Sequence, residues 1–598
     1  MSKKSLTNGV SVKVENRSGF DKSFFNAYTT GVGTLTPHVV QYVIPNSDIN
    51  CRIKISAQLP PLASDAFLRT HLKAEAFFVP RRICYGGYES WFCGKEVYDA
   101  YSDTFIRAAL PQLIVPNFLS MCEDIHLTPS TTSINELVAL FGEGSLMDYL
   151  GLFVDIQVGS WDMNVESTEE RQIYFQARGD SSTKTYFDMP VFDLFSWIAY
   201  GLIYDEYYRN KLVERPLFSP PSAISQGIGA VDSGLSLCNV PYVSFGKEMD
   251  VIYGLHQSTA SGMNYYFDFD VAENECLLYD DLLNGRLCDL RQRNYGDDYL
   301  TCATPSPQEG SEMTIDASGG SVSISSIRLS EAMQEFKERN NWASPDYIQT
   351  LAARFGASLS AGIAQKPIYL GSADFPMYTS PVEQAYNNAS GVGGSTNNPF
   401  SSVGARYGRA HAEGSDFVCN FHADEDGYFM VIVSLVPEAQ YSQGIAHHLL
   451  MLNSNELTNI PCSLFEHIGN EPIHSCEIDS TDTDQVFGYV QRFLGHKLGN
   501  RNQVHGKFRP GESLDAFVVQ RYFTGAPSMN SDFLKVKTSD LDNVFAVTAD
   551  KGFGVMIDSA IDLFVSEPLS ESAIPTLANP ATEHGRSVYI KTGGSKLA

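Results

Sequence analysis

No two cysteines in this sequence stand at CxxC spacing, so neither a zinc ribbon nor a dithiol redox centre has its ligands. The eleven cysteines are scattered from Cys51 to Cys476, odd in number and without a framework, which fits a reducing compartment. Long apolar runs are also missing: none approaches the ~20 residues of a membrane-spanning helix. The opening MSKKSLTNGV has no apolar segment of the signal-peptide kind, so neither membrane insertion nor secretion is expected. Without secretion, Asn16-Arg17-Ser18 and Asn388-Ala389-Ser390 read as chance matches to the glycosylation triplet. Positive charge is scarce, with 42 Lys and Arg against 70 Asp and Glu and a net charge of −28. Neutralising phosphates takes cations, so a protein that coats nucleic acid over its whole surface is excluded, and any such contact must be local. The G-x-S-x-G elbow, the P-loop, H-E-x-x-H and a helix-opening G-x-G-x-x-G are all absent. No cofactor is expected.

What is abundant is aromatic: 36 Phe and 30 Tyr, residues that suit sheets and wide subunit interfaces. With 43% hydrophobic and 19% charged residues, most of the chain should be ordered. At 598 residues it is several times longer than a typical domain of roughly 100–150 residues, yet no charged or low-complexity linker divides it. One large β-rich body with long insertions is expected. Its clearest element is DFVCNFHADEDGYFMVIVSLVP, Asp416 to Pro437, which reads as two strands joined in a hairpin at Asp424-Glu425-Asp426-Gly427. The second strand is apolar almost without a break and should be covered on both faces.

In chain order, residues 1–30 read as a basic arm with Lys3 and Lys4, contacting phosphates or a neighbouring subunit, or simply solvated. Residues 31–100 hold strand-like runs in which Arg52 and Lys54 alternate with Ile53 and Ile55, as on a strand with one wet face. Residues 101–187 read as an insertion. Residues 188–210 form a helix apolar on nearly every side, hence buried. Residues 211–286 read as a second insertion and a candidate surface protrusion; its Tyr265, Tyr266, Phe267 and Phe269 suit contact with a receptor, or pack within the insertion itself. Residues 287–380 include two helices, one with Leu329, Ala332, Met333 and Phe336 on its apolar face, the other running from Ser344 to Gly356. Residues 381–415 read as a flexible Asn/Gly/Ser-rich loop, 416–570 as further strands, and 571–598 as a tail.

The stretch from Gln491 to Pro510 carries Arg492, Lys497, Arg501, Lys507 and Arg509 with no carboxylate, interleaved with Phe493 and Phe508. Cations among aromatics can grip single-stranded nucleic acid through phosphates and stacked bases. The other reading is an intersubunit contact with the many acidic side chains. Asp479, Asp482 and Asp484 could hold a structural calcium ion through oxygen ligands, but they lack the Gly and distal Glu of an EF-hand loop and read better as an ordinary acidic turn. His447 and His448, on a helix started by Ser442, would point to different sides and so suit structural or surface roles better than a shared metal.

Several segments resemble the major capsid proteins of microviruses, of the gokushovirus-like group of small single-stranded DNA bacteriophages. They include LKAEAFFVPRRI from Leu72 with YESWFCG from Tyr88, GSLMDYLG from Gly144, LIYDEYYRN from Leu202, and RQRNYGDDYLTCATPSPQ from Arg291. Further along come QKPIYLG from Gln365, YSQGI from Tyr441, FEHIGNE from Phe465, QVFGY from Gln485 and LDAF from Leu514, all in family order. The chain departs from the family after Gln308, where many relatives carry a large hypervariable loop. The resemblance implies a viral jelly-roll β-barrel with long, partly helical insertions. By the same resemblance the subunit assembles with itself, in about 60 copies, into a T=1 shell around circular single-stranded DNA. Its partners would be that genome, a small basic DNA-condensing protein, other phage structural and pilot proteins, and a host surface receptor. It would occupy the virion, and the bacterial cytoplasm during assembly. The residues alone leave open a carbohydrate- or receptor-binding β module that forms no shell, and a glycoside hydrolase whose paired carboxylates a sequence cannot identify.

Overall fold

The structure is a computed structural model. It describes residues 17–84, 88–94, 143–152, 195–214, 290–307, 365–383, 406–450, 470–479, 485–498, 501–525, 527–541, 543–546 and 554–569, with short pieces between them.

Ten strands build two antiparallel sheets. They are β1 (Ser18–Asp21), β2 (Phe24–Thr30), β3 (Thr36–Val43), β4 (Ser47–Gln58), β5 (Thr70–Pro80), β6 (Ile368–Pro376), β7 (Tyr378–Glu383), β8 (Arg406–Ala423), β9 (Gly427–Pro437) and β10 (Val555–Glu567). One sheet has the order β1-β10-β4-β8-β7, with β2 also on β10; the other has the order β6-β5-β9-β3. The chain crosses between sheets at β2–β3, β3–β4, β4–β5, β6–β7, β8–β9 and β9–β10, giving a mainly β sandwich of jelly-roll type. Neighbours β5 and β6 are separated in sequence by everything from Arg81 to Pro367.

The expected alternation holds on β4. Cys51, Ile53 and Ile55 are buried in the inter-sheet core, while Arg52 and Lys54 are exposed. The unbroken apolar run of β9 also has its cover. Phe429, Val431, Val433 and Leu435 face the inter-sheet core, whereas the intervening Met430 and Ile432 are buried but stand outside that cluster. Their side of the sheet meets helix α1 (Phe195–Ile203), all nine residues of which are buried, as the apolar circumference requires. A π-helical turn, Tyr204–Tyr208, extends α1. Its Tyr208 hydroxyl donates to Glu75 on β5 at 2.6 Å, and Arg293 reaches the same carboxylate at 3.2 Å.

The hairpin expectation is corrected. β8 and β9 do not pair with each other: β8 lies between β4 and β7, and β9 between β3 and β5. The acidic triplet is therefore a crossing between sheets. Its carboxylates anchor the turn that follows β5, with Arg82 gripping Glu425 at 3.0 and 3.1 Å and the Tyr88 hydroxyl donating to Asp426. Gly427 is not in the left-handed region; it is required because a Cβ there would stand 2.4 Å from the Val79 carbonyl oxygen.

The loop read over 381–415 is corrected at both ends, since 381–383 complete β7 and Arg406 to Ser415 is strand. Its composition is loop-like because the packing is tight. A Cβ on Gly408 would lie 2.1 Å from the Ser64 carbonyl oxygen, and one on Gly414 2.7 Å from the Phe375 ring. No helix starts at Ser442; a 3-10 turn, His447–Leu449, stands there instead. The helices read at 329–336 and 344–356 and the tail beyond residue 569 lie outside the described residues, apart from isolated positions.

Candidate nucleic-acid interface

The basic stretch belongs to the connection between β9 and β10. That connection packs around a second apolar cluster, with Tyr299, Leu300, Tyr441, Ile473, Phe487 and Phe533 among its members. Its frame is an antiparallel ribbon, Asn470–His474 with Val486–Gln491, placed beside the 290–307 segment by paired backbone bonds between Thr304 and Tyr489 at 2.8 Å.

Polar side chains lock the loops to this frame. His447 bridges two carboxylates, Glu471 at 2.7 Å through Nε2 and Glu477 at 3.3 Å through Nδ1, and Glu477 is only 1% exposed. The facing carboxylates, Glu471 first and then Glu477, raise the imidazole from 6.5 to about 10, against the opposing effect of burial. Burial pushes the Glu471 carboxyl up, but its bond to His447 overrides this and holds it below the usual carboxylate range. The buried Tyr299 phenol is pushed far above its ordinary range by desolvation and then by the Glu477 and Glu471 charges. Arg521 sits over the Phe533 and Tyr295 rings at 4.4 and 4.5 Å, and donates to the Tyr441 hydroxyl at 3.1 Å.

The sequence-named side chains divide between this frame and the surface. Phe493 is buried, in the left-handed region at φ 61°, and its N–H donates to Glu471 at 3.0 Å. Arg501 donates to the carbonyls of Glu477 and, at 3.0 Å, of Gly444, and burial lowers its pKa. Both are bound into the frame, and Phe493 is buried there. Arg492 is half-buried, with its guanidinium 5.7 Å from the Phe493 ring centre. Lys497 is exposed. Lys507 pairs with Glu512 at 2.8 Å in the open, a carboxylate just beyond the stretch itself. The exposed Arg509 makes no ion pair with a described residue.

Phe508 packs edge-on against Phe67 and Phe517, at 6.3 and 6.5 Å between ring centres. Sequence reading missed Phe67. It is 61% exposed, beside Phe508, and carried on the β4–β5 connection by a 2.7 Å backbone bond to Phe517. Only the fold brings it to the basic stretch, so no local signal marks it.

Asp479 donates its backbone N–H to the Ser475 carbonyl at 2.8 Å, while Asp482 and Asp484 lie outside the described residues. Among the described residues no group of three or more His, Cys, Asp or Glu side chains is arranged to hold a metal. Tyr265, Tyr266 and Phe267 lie on the strand Asn264–Phe267, paired with Leu255–Ser258; Phe269, Lys3 and Lys4 lie outside the described residues.

A two-sheet antiparallel sandwich whose paired strands bracket a very long insertion is of the jelly-roll class, an architecture that viral capsid proteins share with lectins and cupins. The chain belongs to the phage family described as the capsid protein (F protein), whose model matches residues 10–126 and 191–577. It is similar to the capsid protein VP1 of Chlamydia phage 1, at 22% identity over 577 residues, covering 90% of this chain and 92% of the relative. Shorter matches are VP1 of Bdellovibrio phage phiMH2K, 24% identical over 37% of this chain and 40% of the relative, and VP1 of Spiroplasma virus 4, 20% identical over 43% and 46%. All three relatives are microviruses. The protein is accordingly a major capsid protein, a non-enzymatic structural component of the virion that assembles with itself.

Proposed function

We propose that about 60 copies of this chain close a T=1 icosahedral shell around a circular single-stranded DNA genome, assembling in the bacterial cytoplasm. The observation that carries this reading is the long insertion between paired strands of a rigid sandwich, in a chain of the capsid family. Such a plan separates a shell-building body from elements free to vary. The genome-facing surface is drawn from Arg492, Lys497, Lys507 and Arg509 with Phe508 and Phe67, together with Lys3 and Lys4 of the arm; Phe493 and Arg501 serve as its scaffold. The host receptor is met by residues 211–286, with Tyr265, Tyr266, Phe267 and Phe269 as contacts. A small basic protein condenses the genome, because a chain of net charge −28 cannot supply the counterions itself. Further phage structural and pilot proteins complete the particle.

Expression in bacteria followed by sedimentation and negative-stain imaging tests the shell. Uniform isometric particles with icosahedral averages of 60 subunits are expected. A stable monomer or trimer, even with the phage partners supplied, would overturn it.

A further inference from the structure

Cys51 on β4 and Cys419 on β8 are directly opposed partners across the two strands. Both thiols are free and buried in the inter-sheet core, at 0% and 2% exposure. Their meeting depends on a β-bulge between Phe417 and Cys419. Phe417 is exposed opposite Arg52, so simple alternation would set Val418 against Cys51; the extra residue moves Cys419 into that place instead. Opposed residues of an antiparallel pair have Cα atoms roughly 4.5–5.5 Å apart, inside the ~4.4–6.8 Å span that a disulfide bridges. Cys84, Cys93, Cys302, Cys462 and Cys476 have no cysteine partner in any strand register among the described residues. Neither Cys51 nor Cys419 hydrogen-bonds through sulfur to a described residue.

We propose that Cys51 and Cys419 form a latent cross-strand disulfide, open in the reducing cell and closed by peroxide once the protein leaves it, locking β4 to β8 at the centre of the six-stranded sheet. One thiol attacks hydrogen peroxide, the O–O bond breaks, and a sulfenic acid and water result. The second thiol then displaces hydroxide from the sulfenic sulfur, releasing a second water as the S–S bond forms. Two thiols are oxidised by two electrons and one peroxide is reduced to two waters. Burial, with the neighbouring thiol adding to it at Cys51, pushes both thiols up to about 12, so thiolate is scarce and closure is slow in the folded state.

The test treats the purified full-length protein with iodoacetamide to block exposed thiols such as Cys93, then with hydrogen peroxide. Unfolding in N-ethylmaleimide without reductant and peptide mass mapping follow. The expected result is a Cys51–Cys419 linked peptide pair, two hydrogens lighter than the sum of its parts, abolished by reductant and absent from C51A and C419A. The oxidised protein should unfold several degrees higher than its reduced form. Recovery of both cysteines as separate maleimide adducts, as unlinked sulfinic acids, or joined to other cysteines overturns the proposal. The wild-type mapping decides this even if a variant fails to fold.

Discussion

His447 owes its charge to two carboxylates brought from another loop, and its titration ties the stability of that region to pH. A pKa raised from 6.5 in the unfolded chain to about 10 in the folded one means that folding binds a proton. The resulting stabilisation is fully present below pH 6.5 and is lost as pH rises through about 10. Thermal unfolding of the wild type should therefore show a falling midpoint across that window, and His447→Ala should remove the dependence. The variant also takes away one of the two cations near the buried Glu477 carboxylate, leaving Arg501, at a cost of about 1–3 kcal/mol near neutral pH. An unchanged midpoint and pH profile would refute the role. Gly444 is a sharper case. It has φ 76° and a would-be Cβ 2.0 Å from the Glu477 carbonyl oxygen, so Gly444→Ala meets both strain and a clash with backbone that cannot yield. A loss of about 2 kcal/mol or more is expected in denaturant titration.

At the scale of elements, β9 shows what a sequence carries and what it withholds. Its unbroken apolar run announces two covers, and they are the six-stranded sheet and α1. Ile432, 1% exposed on the side away from the inter-sheet core, tests the second cover. Ile432→Ala should cost about 2–5 kcal/mol, and Ile432→Lys should prevent accumulation of folded protein, because an unpaired charge would be buried. A soluble, normally folded lysine variant would show that this face is wet. The same composition misled about the turn before β9. Asp-Gly suits a tight hairpin, but the acidic side chains are claimed by Arg82 and Tyr88, near in space and over 330 positions away in sequence. Gly408 and Gly414 made a strand look like a loop for the related reason that tight packing against Ser64 and Phe375 selects glycine. Local period and apolar content were legible in these elements; pairing partners were not, because they depend on distant backbone. The basic stretch follows the same rule. Its cations were visible as a run, yet which of them are structural turns on Glu471, Glu477 and Gly444, and Phe67 joins only through the fold.

For the whole molecule, charge decides what assembly can do unaided. If exposed Lys497, Lys507 and Arg509 grip phosphates as proposed, truncating Lys507 and Arg509 together should weaken oligonucleotide binding at every sequence and reduce the salt slope by about 1 per lost contact. Phe67→Ala should weaken binding of single strands with little change in that slope, since stacking is not ionic. If both changes leave DNA binding intact but stop particle formation, the surface is a contact between subunits. Such a patch remains small against −28 per chain, multiplied over the proposed shell around a polyanionic genome. Within a Debye length of ~8 Å at physiological salt the repulsion between wall and genome goes unscreened. Shells formed from this chain alone should therefore be empty, or fill only when a cationic protein or multivalent cations are supplied. The ratio of absorbance at 260 to 280 nm across a sedimentation gradient measures this directly. Fully packed particles lacking any cationic partner would mean that the interior surface is far more basic than the chain average, with its acidic residues segregated to the outside.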